Sequence, residues 1–367
     1  MFEISVQCNV PSTLVGANGI GKTSRIKALA EILNRTLIRI PLLGLEPSDL
    51  TGLPILRDNH VEFIPPKFIT DLKTNPQKYI LLLDEINRIP PDKVQALICQ
   101  LLDREHGIFG LPYDVMIVGT CNVSDLGVFK PSKMLRSRMA WFTIQQDTSA
   151  FLEYLKEGRF NNDFKIVPQN WKDYIPWARN LMYLFLSTHR SLLYESDRRD
   201  DDDDSFPYCT PRSFDMTINI WAGLKSLRMA TIDNLACALQ ATCGHHVQHQ
   251  FMQFLSKMEL PNVETFVKEY LLQDLEYTPD KYNMSAFLYL MLSEVYFYMI
   301  EVAQKDPSYA SLIWKASMKY IERYLEQHEE ICMMLIRMYA KADKDANRKI
   351  GGMFPPKAMA LLQKVIT

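Results

Sequence analysis

Gly16-Ala17-Asn18-Gly19-Ile20-Gly21-Lys22-Thr23-Ser24 is the most informative stretch of this 367-residue chain. It fits G-x-x-x-x-G-K-[ST] and lies between a short apolar run (Thr13-Leu14-Val15) and an amphipathic one over 23–34. A strand, a glycine-rich loop and a helix in that order make a phosphate cradle. Gly19 and Gly21 allow backbone shapes and close approaches that a Cβ would block, so successive N–H groups point at phosphate oxygens. The helix start adds the positive end of its dipole. Lys22 has the length to reach β- and γ-phosphates, and the Thr23 hydroxyl can ligate Mg²⁺. Residues 16–24 are therefore the expected nucleotide site, with ATP and Mg²⁺ as its cofactors.

On either side of this loop the pattern is α/β. Residues 36–40, 79–83, 115–120 and 140–144 are short apolar runs, separated by helical segments at 23–34 and 93–104. Strands alternating with helices at this spacing predict a parallel sheet covered on both faces. Beyond residue 146 strand signals stop. Helical periodicity then recurs at 149–157, 171–195, 211–228, 231–241, 246–258, 263–273, 284–304, 309–327, 329–342 and 356–366. The predicted fold is an α/β P-loop NTPase core over 1–146, an all-helical lid over 147–260 and a C-terminal helical extension over 261–367. Glycine usage follows the same division. Nine of the 14 glycines precede residue 128, as befits a residue that costs about 1 kcal/mol inside a helix.

Charge and cysteine content narrow the function classes. Lys and Arg number 41 against 43 Asp and Glu, for a net charge of −2. That removes a general attraction to nucleic acid or anionic lipid while leaving room for local patches. The seven cysteines (8, 99, 121, 209, 237, 243 and 332) contain no C-x-x-C pair and read as free thiols of a reducing compartment. No charged-then-apolar leader opens the sequence, and the most apolar stretch, 286–302, is interrupted by Glu294 and Glu301. It falls short of a clean span of about 20 residues. A soluble, cytoplasmic protein with no membrane contact is the expectation.

Tyr79-Ile-Leu-Leu-Leu-Asp84-Glu85 is a buried-strand pattern ending in two carboxylates. Asp84 stands where P-loop enzymes hold the Mg²⁺ shell. Glu85 stands where a carboxylate can polarise a water for in-line attack.

Leu83-Asp84-Glu85-Ile86-Asn87-Arg88 resembles the Walker B box of MoxR-type AAA+ ATPases, members of the helix-2-insert clade. Pro47-Ser-Asp-Leu-Thr-Gly52 with Val61-Glu-Phe-Ile-Pro-Pro66 resembles that clade's hairpin insertion in helix 2, near 52–66. The resemblance runs from residue 12 to about 225 and implies a core of AAA+ type. It implies that Asn122, closing Val118-Gly-Thr-Cys-Asn122, is the sensor-1 asparagine that helps hold the attacking water or the γ-phosphate. In Met134-Leu-Arg136-Ser-Arg138-Met139 it implies an arginine finger for the neighbouring subunit, on Arg138 in the closest register, with Arg136 as competitor. A finger neutralises transition-state charge and can be worth about 10³ to 10⁵ in rate. Arg212 in Tyr208-Cys-Thr-Pro-Arg212-Ser213 resembles the sensor-2 arginine, acting in cis or in trans. Thr210 as N-cap and Pro211 in the first turn fit a helix start there.

The same resemblance implies a homo-oligomeric ring, a hexamer foremost, that hydrolyses ATP to remodel or assemble a protein client as a MoxR-like chaperone. It further implies a partner bearing a von Willebrand factor A-type domain. Two other functions remain open: a nucleic-acid translocase or loader of the same clade, and a slowly hydrolysing, nucleotide-controlled assembly scaffold. Near-neutral charge counts against the translocase. Two departures from the family pattern bear on mechanism. Only residues 105–114 stand where the family carries a β-hairpin before sensor 1, so that hairpin is expected to be vestigial. The phosphate loop also begins at residue 16, which leaves client recognition to the helix-2 hairpin or the C-terminal helices. Arg57, Asp58, Asn59 and His60 lie near the tip of that hairpin.

Weaker signals have ordinary readings. Cys237, Cys243, His245 and His249 approach metal-ligand spacing without a C-x-x-C or an H-E-x-x-H, so a polar helix start is expected. Phe287, Tyr289, Met291, Tyr296, Phe297, Tyr298 and Met299 make an aromatic helix expected in the core, with a partner surface as the alternative. The five aspartates of 200–204 read as a solvated loop, and the basic stretch from Arg337 to Lys357 as a solvated face.

Overall fold

Among the described residues seven strands form: β1 (Ser12–Gly16), β2 (Thr36–Pro41), β3 (Leu53–Arg57), β4 (His60–Ile64), β5 (Tyr79–Asp84), β6 (Met116–Asn122) and β7 (Ala140–Thr143). The computed structural model describes residues 1–58, 60–90, 92–123, 127–158, 164–193, 206–256, 261–277, 284–347, 349–352 and 354–359. Five strands pair in parallel in the order β2-β5-β6-β1-β7. The middle strands are apolar on both faces because helices cover both. Along β5, Ile80 and Leu82 face one side and Leu81 and Leu83 the other, all fully buried. Register then places the site. Gly16 of β1 pairs with Asn122 of β6, and Pro41 of β2 pairs with Asp84 of β5. The carboxyl ends of three central strands thus deliver Gly16, Asp84 and Asn122 to one edge of the sheet, where open α/β folds bind their ligands.

Helices α1 (Phe2–Gln7), α2 (Lys22–Ile32), α3 (Pro47–Thr51), α4 (Lys67–Thr74), α5 (Lys93–Leu102) and α6 (Lys133–Arg136) accompany the sheet. Leu42, Leu50, Ile69, Leu81, Leu83, Ile98, Ile117 and Trp141 belong to the core cluster on one face. Each such side chain contributes about 1.5–3 kcal/mol by leaving water. The short α1 carries no sequence signal of its own, because six residues are too few for periodicity to register. All six are buried. The Gln7 amide also fastens a distant segment: its Nε2 donates to the Lys165 carbonyl at 2.9 Å, and its Oε1 accepts from the Val167 N–H at 2.9 Å.

Residues 53–64, where the hairpin was expected, form the antiparallel pair β3–β4. Gly52 introduces it at φ +83°, where a Cβ would lie 1.8 Å from the Ile64 carbonyl oxygen. Only glycine fits there. The hairpin presents Leu53, Leu56, Val61, Phe63 and Ile64 at 54–77% exposure. Ahead of β6, a short 3₁₀ segment (Arg104–His106) is followed by turns and loop over 107–114.

Beyond β7 the chain is helical: α7 (Thr148–Glu157), α8 (Ile175–Thr188), α9 (Pro211–Ser226), α10 (Ile232–Cys243) and α11 (His245–Ser256). The helix expected over 171–195 is divided. A 3₁₀ stretch, Gln169–Tyr174, precedes α8, and another, Arg190–Leu193, follows it. Pro176 in the first turn of α8 sets that start, since a proline has no N–H to donate to a preceding turn. Thr210 caps α9 by accepting from the Ser213 N–H at 3.3 Å, and Ser213 reciprocates. Trp221 anchors the α9–α11 core, with its Nε1 donating to the Leu235 carbonyl at 2.9 Å and its ring 5.0 Å from Phe251.

The chain divides into two compact units, Met1–Met182 with Leu186–Phe251, and Tyr183–Phe185 with Met252–Thr367. The second contains α12 (Val263–Phe266), running into a π-helical turn over Val267–Leu271, then α13 (Met284–Ala303), α14 (Pro307–Tyr324), α15 (Glu329–Tyr339) and α16 (Ala342–Asp345). Phe266 meets Phe287 and Tyr320 edge-on, with ring centroids 6.1 and 5.8 Å away. By length and composition α13 could cross a membrane, yet 67% of its apolar window is buried within the molecule. Phe287, Tyr289, Met291, Tyr296 and Met299 are core residues, while Phe297 and Tyr298 are half-buried. The aspartate run 200–204, Asn59 and Arg348 lie outside the described residues.

The architecture is the one expected from the alternation of strands and helices: a P-loop AAA+ core with a parallel sheet, a helical lid and further C-terminal helices.

Candidate nucleotide-binding and catalytic site

β1 ends at Gly16 and α2 begins at Lys22, so the loop between them opens directly onto a helix N-terminus. Gly21 caps that helix at φ +91° with no atom within 4 Å of a would-be Cβ, so conformation, not space, demands glycine there. Lys22 is buried, and its ammonium donates to the Gly16 and Ala17 carbonyls at 2.8 Å each and to Asn122 Oδ1 at 2.7 Å. Thr23 follows, half-buried, in the first turn of α2.

A cavity of about 950 Å³ adjoins the loop, large enough for a nucleotide. Asn18, Gly19, Ile20, Gly21, Ser24 and Arg25 line one side. Residues 144–147 and α7 line the other, where Phe151 and Tyr154 stack with ring centroids 6.1 Å apart.

Asp84 closes β5 and is buried. Thr120 Oγ1 donates to its Oδ1 at 2.5 Å, and Arg39 Nε donates to its Oδ2 at 2.6 Å. Glu85, next along, adopts φ +58° in the left-handed region. For a non-glycine residue that conformation costs on the order of 1–3 kcal/mol and collects at functional sites. Its own N–H donates to Thr120 Oγ1 at 2.8 Å, so one hydroxyl ties the two acidic residues together. The Glu85 side chain then accepts from Asn122 Nδ2 at 3.1 Å, with Arg88 Nε 3.7 Å from its other oxygen. Asn87 clamps the Asn122 backbone from both sides, donating to its carbonyl at 2.7 Å and accepting from its N–H at 3.2 Å. Asn122 thereby spans the site, with its amide oxygen on Lys22 and its amide nitrogen on Glu85. Burial pushes the neighbouring Cys121 thiol up to about 12, against the pull of the Lys22 charge. That thiol is protonated near neutral pH.

Arg138 and Arg212 form a second cluster at the end of α5, and Arg136 packs separately. Arg138 donates from Nε and Nη2 to the two oxygens of Asp103 at 2.9 Å each, and from Nη1 to the Met134 carbonyl at 2.9 Å. Arg212, in the first turn of α9, lies 3.4 Å from one of the same oxygens. Arg136 is buried. Its Nε donates to the Phe206 carbonyl at 2.8 Å, and its guanidinium lies 5.5 Å from the Tyr208 ring centre.

Of the residues singled out from sequence, Lys22, Asp84, Glu85 and Asn122 are assembled at one sheet edge, and Arg138 and Arg212 meet elsewhere. Sequence reasoning missed Thr120 and Asn87, although both sit inside the motifs that were noticed. It also missed Arg39 and Asp103, whose roles arise from pairing across the fold and leave no local signal. Among the described residues no group of three or more His, Cys, Asp or Glu is placed to hold a metal ion, and His245 Nε2 lies 3.2 Å from Gln240 Nε2. The donors at the sheet edge suit a polyphosphate and its divalent cation: a lysine, a hydroxyl, a helix start and a carboxylate.

Residues 11–139 match the family model described as AAA domain (dynein-related subfamily). This stretch is similar to AAA domains. It contains the phosphate loop, Asp84, Glu85, Asn122 and Arg138, whereas Arg212 lies beyond it. Among curated relatives, Lon protease 2 of Borreliella burgdorferi is 31% identical over 149 residues, covering 36% of this chain and 18% of that protein. The peroxisomal Lon protease homolog 2 of Caenorhabditis elegans is 33% identical over 141 residues, covering 34% and 17%. The chain spans less than a fifth of the length of these relatives. Among solved structures, a candidate ATPase from Cytophaga hutchinsonii aligns with a TM-score of 0.45 at 16% identity, covering 66% of this chain and 78% of that one.

Proposed function

We propose that this chain is an ATP-hydrolysing AAA+ protein of MoxR-like type, working as a homo-oligomeric ring to remodel or assemble a protein client. The observation that carries the reading is the hydrogen-bonded series Lys22–Asn122–Glu85 at the carboxyl edge of a parallel sheet. It joins a phosphate-binding cation, an amide and a water-polarising carboxylate in one set. The loop N–H groups and Lys22 would hold the polyphosphate, Thr23 and Asp84 the Mg²⁺, and Phe151 with Tyr154 an apolar wall of the base pocket. Mg²⁺ held there would supply charge that neutralises the phosphates. Glu85 takes the role of water-orienting base, and Asn122 keeps its carboxylate turned toward the phosphate loop.

Arg138 is the proposed finger for the next subunit, with Arg136 as competitor and Arg212 as the lid's arginine. Arg136 is buried against the Phe206 carbonyl and Arg138 is held by Asp103 and the Met134 carbonyl, so either would have to change partners to reach a neighbour's phosphate. The exposed apolar hairpin β3–β4 supplies a client-facing surface. A hexamer, a von Willebrand factor A-type partner and cytoplasmic residence complete the reading. All seven cysteines are free, in keeping with a reducing compartment.

Phosphate release by the unaltered protein and by Glu85→Gln tests the reading. The variant should retain ATP while turnover falls by on the order of 10² or more. Equal turnover in both would overturn it.

A further inference from the structure

Asp84 is engaged by a charge that the proposed reaction does not use. Arg39 stands on β2, the edge strand, two residues before the register partner of Asp84. The two are therefore diagonal neighbours on one face of the sheet. Arg39 Nε donates to Asp84 Oδ2 at 2.6 Å, and its Nη2 contacts the same oxygen. Thr120 takes the other oxygen. Both oxygens of the carboxylate thus already carry donors from the chain, one of them a full positive charge. Exposure is unequal across the pair: the Arg39 side chain is 58% exposed and that of Asp84 only 6%. The guanidinium can withdraw into water at small cost, while the carboxylate is fixed at the end of a buried strand.

We infer that Arg39 is a built-in counter-cation of Asp84 that competes with Mg²⁺ and sets the Mg²⁺ concentration at which the site takes up nucleotide. The inference rests on the proposed nucleotide reading and deepens it. A divalent ion approaching Asp84 meets a carboxylate whose charge is already balanced. Either the guanidinium leaves, and an ion pair is given up, or it stays, and two like charges share one carboxylate. Both weaken Mg²⁺ binding. An uncharged residue at position 39 removes the competitor and leaves every residue proposed to touch nucleotide in place.

The test is a Mg²⁺ titration of the full chain with a fluorescent ATP analogue, reading the Mg²⁺ midpoint for nucleotide uptake instead of turnover. Arg39→Gln is expected to lower that midpoint about tenfold, equivalent to about 1.4 kcal/mol, the low end for a neighbouring charge because the arginine is half in water. Arg39→Lys keeps the charge and loses the second donor, so a drop of about threefold is expected. It also serves as the readout should Arg39→Gln fail to fold in a melting experiment. A midpoint unchanged or raised in the folded variants overturns the inference and leaves the nucleotide reading standing. If the unaltered protein takes up no nucleotide at any Mg²⁺ concentration, the nucleotide reading falls and this inference falls with it.

Discussion

Arg138 grips Asp103 through Nε and Nη2, one nitrogen to each carboxylate oxygen at 2.9 Å, and Arg212 of the lid helix reaches one of those oxygens at 3.4 Å. A single acidic side chain at the end of α5 therefore links Arg138, two residues before β7, to the first turn of α9. The Arg138 and Asp103 side chains are 15% and 17% exposed, so the pair stands between a surface bridge and a buried one. Asp103→Ala should lower stability by about 1–3 kcal/mol, seen as a fall in thermal midpoint, because two guanidiniums lose a shared partner. A midpoint equal to that of the unaltered protein would mean that solvent already satisfies both arginines.

If Arg138 acts on a neighbouring subunit, the exchange from Asp103 to phosphate must occur at assembly. Arg138→Ala and Glu85→Gln subunits are each expected to be inactive alone. In mixtures, one interface in a ring can pair an intact Glu85 with an intact Arg138, so activity should return and peak at intermediate ratios. Flat, absent activity across all ratios would place both residues in one subunit's site.

Asn122 and Glu85 are joined by a hydrogen bond at 3.1 Å, so their losses should not add. Asn122→Ala is expected to lower kcat by about 10²-fold, and Asn122→Ala with Glu85→Gln to be little worse than Glu85→Gln alone. Independent, multiplying effects in steady-state kinetics would show that the bond has no catalytic weight.

Gly52 cannot accept a side chain without moving the Ile64 carbonyl, 1.8 Å from a would-be Cβ. Gly52→Ala should displace the β3–β4 hairpin and leave the central sheet intact. Hydrogen exchange reads this directly: amides over 53–64 should lose protection while those of β5 and β6 keep theirs. Unchanged protection in the hairpin would contradict the steric argument.

The thiols offer a pH-dependent check. Burial raises the Cys99 thiol to about 11 and the Cys121 and Cys332 thiols to about 12, so almost no thiolate exists at pH 8. Cys237 is also raised by burial but is half-exposed. Native alkylation at pH 8 should modify Cys237 first and the buried six only on unfolding, as mass mapping can show. Early modification of Cys121 would contradict the packing around Asn122.

Local signals sufficed for much of this protein. The phosphate loop, the apolar strand before Asp84 and the Thr210 cap depend on a few consecutive residues and on backbone geometry those residues impose, whereas the hairpin opened by Gly52 was legible only through the family resemblance. For the same reason the α/β-then-helical order was legible from periodicity alone. What needed the tertiary structure were relationships between residues far apart in the chain. Arg39 meets Asp84 only because β2 lies beside β5 in the order β2-β5-β6-β1-β7, and nothing near residue 39 encodes that neighbour. Asp103 joins Arg138 to Arg212 across 35 residues on one side and a lid helix on the other. Arg136 closes on Phe206 rather than on solvent. The six buried residues of α1 are too short a helix to announce themselves. Sequence patterns report how each segment prefers to fold and which face it hides. Charges find their partners only when strand order and register bring distant segments together, and in this chain that step decides which cation Asp84 keeps.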